Sequence, residues 1–209
     1  MNPLSSILRS ATRSKDERLN LLCFMAHERY EFELSKINAD FYALPGKDVR
    51  TWNTKYGSIP KNYFITNGSV PGHIVFDAII SHNPYIHIPL SIPIAQQLNI
   101  PIISVWHTEP PQNWGQESYE QARSLFDRCH FHVFISDYNR LSWGFNRRPD
   151  TEVIYHSINT DLFKPSGEER QNIITSVAND YINRNAELGF GLWQVLTKDL
   201  PTKVIGSTP

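Results

Sequence analysis

The chain is short of cysteine, of net charge and of long apolar runs, and each shortage excludes something. Its 209 residues include two cysteines, Cys23 and Cys129. One lies within an apolar run and the other at the end of a helical pattern, so the expectation is two buried, reduced thiols rather than a disulfide framework. Twenty basic against twenty-one acidic residues give a formal charge of −1, which offers no electrostatic attraction for nucleic acid or an anionic membrane. No apolar stretch approaches the ~20 residues of a membrane-spanning helix. The first eighteen residues are rich in Ser and Arg, but they lack an apolar signal core and carry Asp16 and Glu17. That composition reads as a tail of a soluble cytoplasmic protein rather than a targeting segment.

Familiar motifs are missing too. There is no P-loop, no GxGxxG and no GxSxG, which removes the sequence signatures of P-loop kinases, Rossmann dehydrogenases and serine hydrolases. Eight histidines raise the question of metal. However, Pro84 interrupts His82 and His87, and His130 and His132 alternate along an expected strand with no CxxC or HExxH companion, so a metal is not expected. No repeat or low-complexity segment is visible.

What is present is alternation. Short apolar runs at 19–26, 40–44, 62–66, 76–81, 100–106, 131–136 and 152–155 read as strands. Several are apolar on both faces, as strands covered on each side by helices are. Between them, 28–37, 89–98, 115–129 and 138–143 carry helical patterns. Pro93 is expected to kink or shorten the second of these, and Asn113 to cap the third. This succession predicts an α/β fold with a Rossmann-like, doubly wound parallel sheet. Residues 45–62 and 67–73 have no clean period and are expected as surface loops at a functional edge.

The composition changes at 159–171, where proline, glycine and charge follow a strand; this segment is expected to be a linker. Beyond it come a strand over 172–178, a helix over 187–197 and a strand from 202. The expected organisation is a tail (1–18), a first domain (19–158), the linker, and the beginning of a second domain (172–209) that is incomplete. The chain by itself is then expected to be inactive.

Ligands of open parallel sheets bind beyond the carboxyl ends of the strands, so the residues following each strand are the candidates. His107, followed by Thr108 and Glu109, comes after the run ending at Trp106. A histidine there can bind an anion or share a hydroxyl proton, or it can simply be an exposed loop residue. His27 and Glu28 open a helix whose free N–H groups suit a sugar or phosphate, or they are ordinary helix-start residues. His82 and Asn83 offer hydroxyl contacts, or form a capped turn. Asp77, early in its strand, reads as structural.

Three segments in order, ISVWHTEP, VFISDYNRLSWGF and EVIYHSINTDLFKP, resemble the retaining glycosyltransferases of family 4, which have the GT-B arrangement of two Rossmann-like domains. In the third segment Ile158, Asp161, Phe163, Lys164 and Pro165 fit the family pattern, while His156 and Ser157 stand where Asn and Gly are usual. In SVANDYINRNAELGFGLW, Arg184 matches a phosphate-binding arginine and Asn185 replaces a lysine. The resemblance implies transfer of a sugar from a nucleotide-sugar to a saccharide, lipid or protein acceptor, with retention and without a metal cofactor. It implies that His107 lies between acceptor and donor sugar. The acceptor contacts expected are His27, Glu28, His82, Asn83 and Glu109, and the donor contacts Arg184, Asn185, Ser136 and His156. The alternative is a sugar- or protein-binding module of the same fold without catalysis.

Overall fold

The computed structural model describes residues 12–206 except 15 and 112. Most of the expected tail therefore lies outside the described residues. Within it, Arg13 pairs with Asp77 at 2.6 Å and donates to the Arg18 carbonyl. The chain divides into two compact units, one through Ser157 and one from Ile158 onward.

The first unit is built on a seven-stranded sheet: β1 (Leu19–Cys23), β2 (Ala39–Ala43), β3 (Tyr63–Ile65), β4 (Ala78–Ser81), β5 (Ile102–Trp106), β6 (Phe131–Phe134) and β7 (Thr151–Val153). Every pairing is parallel, in the order β3-β2-β1-β4-β5-β6-β7. The chain winds outward from β1 to β3, then returns to place β4 on the other side of β1. The fold is thus α/β and Rossmann-like, with its topological switch point between β1 and β4.

Side chains alternate across the pleat, so each strand feeds two cores. Leu21 and Cys23 of β1 join Phe41, Tyr63, Ala78 and Ile80 on one face. Leu22 joins Ile79, Ala95 and Ile102 on the other. Helix α1 (Glu28–Leu34) contributes Tyr30 and Leu34 to the first face, and α2 (His87–Leu98) lies on the second. A third cluster, with Trp106, Phe126, Phe134, Trp143 and Phe145, is closed by α3 (Gln116–Phe126) and α4 (Asp137–Ser142).

Two local expectations are corrected. Pro93 does not shorten α2, which begins at His87 and runs twelve residues through it to a left-handed Asn99. Burial of Ile88, Ser91 and Ala95 along one side holds the helix where the missing N–H weakens it. Asn113 does not cap α3: Gly115 takes that position, without a side-chain hydrogen bond.

Asp77 is structural as expected, since its carboxylate also accepts from the Asn20 N–H at 2.8 Å. Both cysteines are free thiols, Cys23 buried and Cys129 half-buried.

The second unit holds a parallel pair, β8 (Ile174–Val177) and β9 (Thr202–Ile205), connected through α5 (Asn185–Leu188) and α6 (Phe190–Leu196). The single helix expected over 187–197 is split at Gly189, whose φ of +69° is left-handed. Tyr181, Phe190 and Trp193 form its small aromatic core.

Candidate active site

The crevice beyond β1, β4 and β5 collects histidines. His82 follows β4, His107 follows β5, and His156 stands three residues past β7. Nδ1 of His82 is 2.9 Å from Nε2 of His107. The His107 ring stacks on His156 at 5.8 Å between centroids and 7° between planes. Tyr30, in the first turn of α1, presents its ring edge-on to all three, at 5.2 Å to His82, 4.6 Å to His107 and 5.7 Å to His156. Among the candidate residues read from the sequence, His82, His107 and His156 are thus brought together.

Helix α1 is inverted relative to a surface helix. It buries Glu28 and Glu31 at 1% and 0% exposure and leaves Phe32 44% exposed. The two acids are three apart and so share one face. Glu28 is engaged: its Oε1 accepts from the Asn53 N–H at 2.9 Å and its Oε2 lies 3.0 Å from Arg50. Burial opposes its charge, yet donation from its own backbone N–H and from Asn53, with Arg50 nearby, holds its pKa below the usual value. Glu28 thereby ties the 45–62 loop to the start of α1. His27 caps the helix, accepting from the Arg29 N–H at 3.2 Å.

Glu31 is different. Its Oε1 accepts from the Ala26 N–H at 2.9 Å and lies 3.9 Å from Nε2 of His82. Its Oε2 and the His82 Nε2 are both buried without a hydrogen bond. Burial, with Glu28 adding like charge, pushes the Glu31 carboxyl up to about 7 against the pull of the Ala26 N–H and the Tyr63 phenol. Burial also depresses the imidazoles. His107 falls to about 4 with His156 contributing, His87 falls to about 4 with His107 contributing, and His82 falls well below its ordinary value. At neutral pH His82, His87 and His107 are therefore uncharged, able to accept and donate hydrogen bonds but not to pair with an anion.

The loop carrying His107 is fastened from behind. The Thr108 carbonyl accepts from Nδ2 of Asn139 and from Nε1 of Trp143, each at 2.7 Å. Both donors come from the VFISDYNRLSWGF segment. Ser136 of that segment caps α4 by accepting from the Asn139 N–H at 3.0 Å. Beside His107 opens a cavity of about 170 Å³ walled by Tyr85, Trp106, Trp114, Phe126 and Trp143. Asn83 lines its mouth, and its Oδ1 accepts from the N–H groups of Tyr85 and Ile86. Glu109 is exposed in the loop after His107. In the second unit, Arg184 is exposed at the start of α5, and the Oδ1 of Asn185 accepts from the Gly191 N–H at 2.7 Å.

Tyr30, Glu31 and the aromatic wall are not among the candidates read from the sequence, and His87 is weighed there only as a metal partner of His82. One signal was available for Glu31, its three-residue spacing from Glu28 at the carboxyl end of the first strand. Among the described residues no group of three or more His, Cys, Asp or Glu side chains is arranged to hold a metal ion, and no helix is long and apolar enough to cross a membrane.

No protein-family model matches the chain, and no curated protein matches it in sequence. Ten solved chains are similar in structure. One is the crystal structure of Anabaena Alr3699/HepE in complex with UDP and glucose, which aligns with a TM-score of 0.54 and 14% sequence identity. The alignment covers 91% of this chain and 70% of that one. At that identity the likeness is one of fold, and the fold shared is the α/β Rossmann-like arrangement described above.

Proposed function

We propose that the protein is a GT-B glycosyltransferase of family-4 type that moves a sugar from a nucleotide-sugar to an acceptor hydroxyl with retention of anomeric configuration. In this reading the first unit holds the acceptor. The observation that carries it is the placement of His107: neutral, beyond β5 and beside the switch point, clasped by His82, His156 and Tyr30, with an aromatic-walled cavity next to it. Support also comes from the fold shared with a protein whose structure contains UDP and glucose.

The chemistry fits such a site. The acceptor oxygen bonds to the anomeric carbon as the bond from that carbon to the diphosphate oxygen breaks. The hydroxyl proton leaves with the diphosphate. A neutral imidazole at the junction aligns the hydroxyl without placing a competing charge there, and alignment of this kind lowers a barrier by orientation. His82 and Asn83 border the acceptor side, while His27, Glu28 and Glu109 are assigned more distant acceptor contacts. Ser136, His156, Arg184 and Asn185 are assigned to the donor. Charge that develops on the departing diphosphate is best met by a guanidinium, whose planar fork matches phosphate oxygens, and Arg184 is the residue given that role. No resident metal is called for.

The test is calorimetric and chemical. Arg184→Ala is expected to weaken UDP or GDP binding by about tenfold, the loss of roughly one charge-assisted contact. Unchanged nucleotide affinity would remove Arg184 from the donor site. Proton NMR of the first-formed product from the full-length protein reads the anomeric configuration directly, and inversion would rule out the retaining assignment.

A further inference from the structure

Glu31 neighbours His82 and His82 neighbours His107, and a ring nitrogen of His82 and a carboxyl oxygen of Glu31 lack partners. His82 uses Nδ1 toward Nε2 of His107 and turns Nε2 toward Glu31. The side chains of His82 and Glu31 are 1% and 0% exposed. A buried polar atom left without a hydrogen bond is costly, since it has lost water and gained nothing in exchange. Here the unpartnered ring nitrogen of His82 stands 3.9 Å from Oε1 of Glu31, the carboxyl oxygen that also accepts from the Ala26 N–H, while the other oxygen, Oε2, is buried without a hydrogen bond. A shift of about 1 Å brings that separation into hydrogen-bond range. The cost of leaving the His82 nitrogen unpaired favours the shift.

Proton counting then fixes the chain. Two neutral imidazoles sharing one nitrogen–nitrogen contact place one proton on it. If Glu31 is ionised, it requires a donor, so His82 carries its proton on Nε2 and accepts at Nδ1. His107 must then donate from Nε2, which leaves Nδ1 as a bare lone pair. If Glu31 is protonated, its O–H donates to Nε2 of His82. His82 then donates from Nδ1, His107 accepts at Nε2, and its Nδ1 carries the proton. Nδ1 of His107 has no hydrogen bond among the described residues and is the atom left for a ligand.

We propose that Glu31 and His82 are positioning residues that set the tautomer of His107, so that one proton on Glu31 decides whether His107 offers a ligand an acceptor or a donor. Its bearing on sugar transfer rests on the function proposed above, but the proton order itself does not. With Glu31 ionised, His107 accepts the acceptor hydroxyl's hydrogen bond before reaction and leaves the oxygen's lone pairs free for the anomeric carbon, and the proton passes to the departing diphosphate oxygen as the new bond forms. With Glu31 protonated, His107 donates to that oxygen and occupies the lone pair the reaction needs.

The groups able to disturb this order are few. Glu31 meets Glu28 and Tyr30 on its own helix, Cys23 of β1, Tyr63 of β3 and His82 after β4. His107 meets His82, His87, His156 and Tyr30. The thiol and both phenols are pushed to higher pKa by burial and stay neutral. His82, His87 and His107 have depressed pKa values, so above pH ~5 Glu31 is the member of the chain that titrates.

Long-range nitrogen–proton NMR of the histidine rings reads the tautomer without substrate. In the wild-type protein, Nδ1 of His107 is expected to be protonated at about pH 5.5 and bare at about pH 8.5, with a midpoint near 7. Glu31→Gln, which removes the titrating proton from this position, should hold His107 in one tautomer at both values. Should that variant fail to fold, the wild-type titration decides alone. One unchanging His107 tautomer across the range, or a Glu31→Gln protein that still switches, overturns the proposal. A protein that switches tautomer but transfers no sugar keeps this inference and discards the enzyme reading.

Discussion

Tyr30 and His107 meet edge to face, their ring centres 4.6 Å apart and their planes 86° apart. The same Tyr30 ring touches His82 and His156 in the same manner. One aromatic side chain from α1 therefore orients three imidazoles that come from the ends of three different strands. Such pairs are worth about 0.5–1.5 kcal/mol each beyond the area they bury, and their combined effect is to remove rotational freedom from the site.

Two substitutions at Tyr30 separate packing from the phenol. Tyr30→Phe keeps the ring and is expected to leave transfer rates within about twofold of wild type. Tyr30→Ala frees all three rings and should lower kcat by about tenfold or more, since small misplacements of reacting groups are costly. Initial rates of both variants in the full-length protein make the comparison. Equal losses in the two would mean that the phenol, rather than the ring, matters.

The raised pKa of Glu31 also predicts a pH-dependent stability. The folded carboxyl titrates at about 7 against 4.5 for the free group. Between those values the folded state binds the proton more strongly, so this group's contribution falls as pH rises and is fully lost above about 7. The size is about 3 kcal/mol, at 1.36 kcal/mol per pKa unit. His82, His87 and His107 act oppositely, since their depressed pKa values stabilise the fold fully above pH 6.5 and lose that contribution as pH falls toward about 4. Glu31→Gln removes only the first effect. Its stability relative to wild type, from urea melts, should therefore rise by about 3 kcal/mol between pH ~4.5 and ~7 and stay level above. An offset independent of pH would contradict the ionisation assigned to Glu31.

In the second unit, Gly206 follows β9 with φ of +140°, and a Cβ there would fall 2.0 Å from the Ala178 carbonyl oxygen. Gly206→Ala is expected to break the Ala178 N–H to Ile205 carbonyl contact, now 3.0 Å, and to destabilise this unit by about 2 kcal/mol or more. Amide exchange across 174–177 and 202–205 reports it: rates there should rise while those of β1 and β5 stay unchanged.

How much of this was legible in the sequence follows from what makes a pattern. The strands among the described residues are short apolar runs between polar segments, and each expected run contains or overlaps an observed strand; in the central strands β1, β4 and β5 this is because both faces of the sheet are covered. His107 was legible since its place after the run ending at Trp106 is a matter of position alone. Glu31 was not. A charged residue in the first turn of a helix reads as a solvated partner of the helix dipole, and only the fold shows α1 turning Glu28 and Glu31 inward and Phe32 outward. Tyr30 hides for a related reason, because its three partners are 52, 77 and 126 positions away and no local period joins them. The fastening of Thr108 by Asn139 and Trp143 is likewise a meeting of two strand ends. Pro93 shows the opposite error, in which a local rule was sound and burial of the helix outweighed it.

The central claim is that His107 stands where sugar is transferred, and its removal tests that most directly. In the full-length protein, acceptor-dependent release of nucleoside diphosphate from a panel of nucleotide-sugars should fall by at least about a hundredfold in His107→Ala. Nucleotide affinity and the amide spectrum of the first unit should remain close to wild type. An alanine variant that transfers sugar at the wild-type rate would contradict the account and place the reaction away from the histidine cluster.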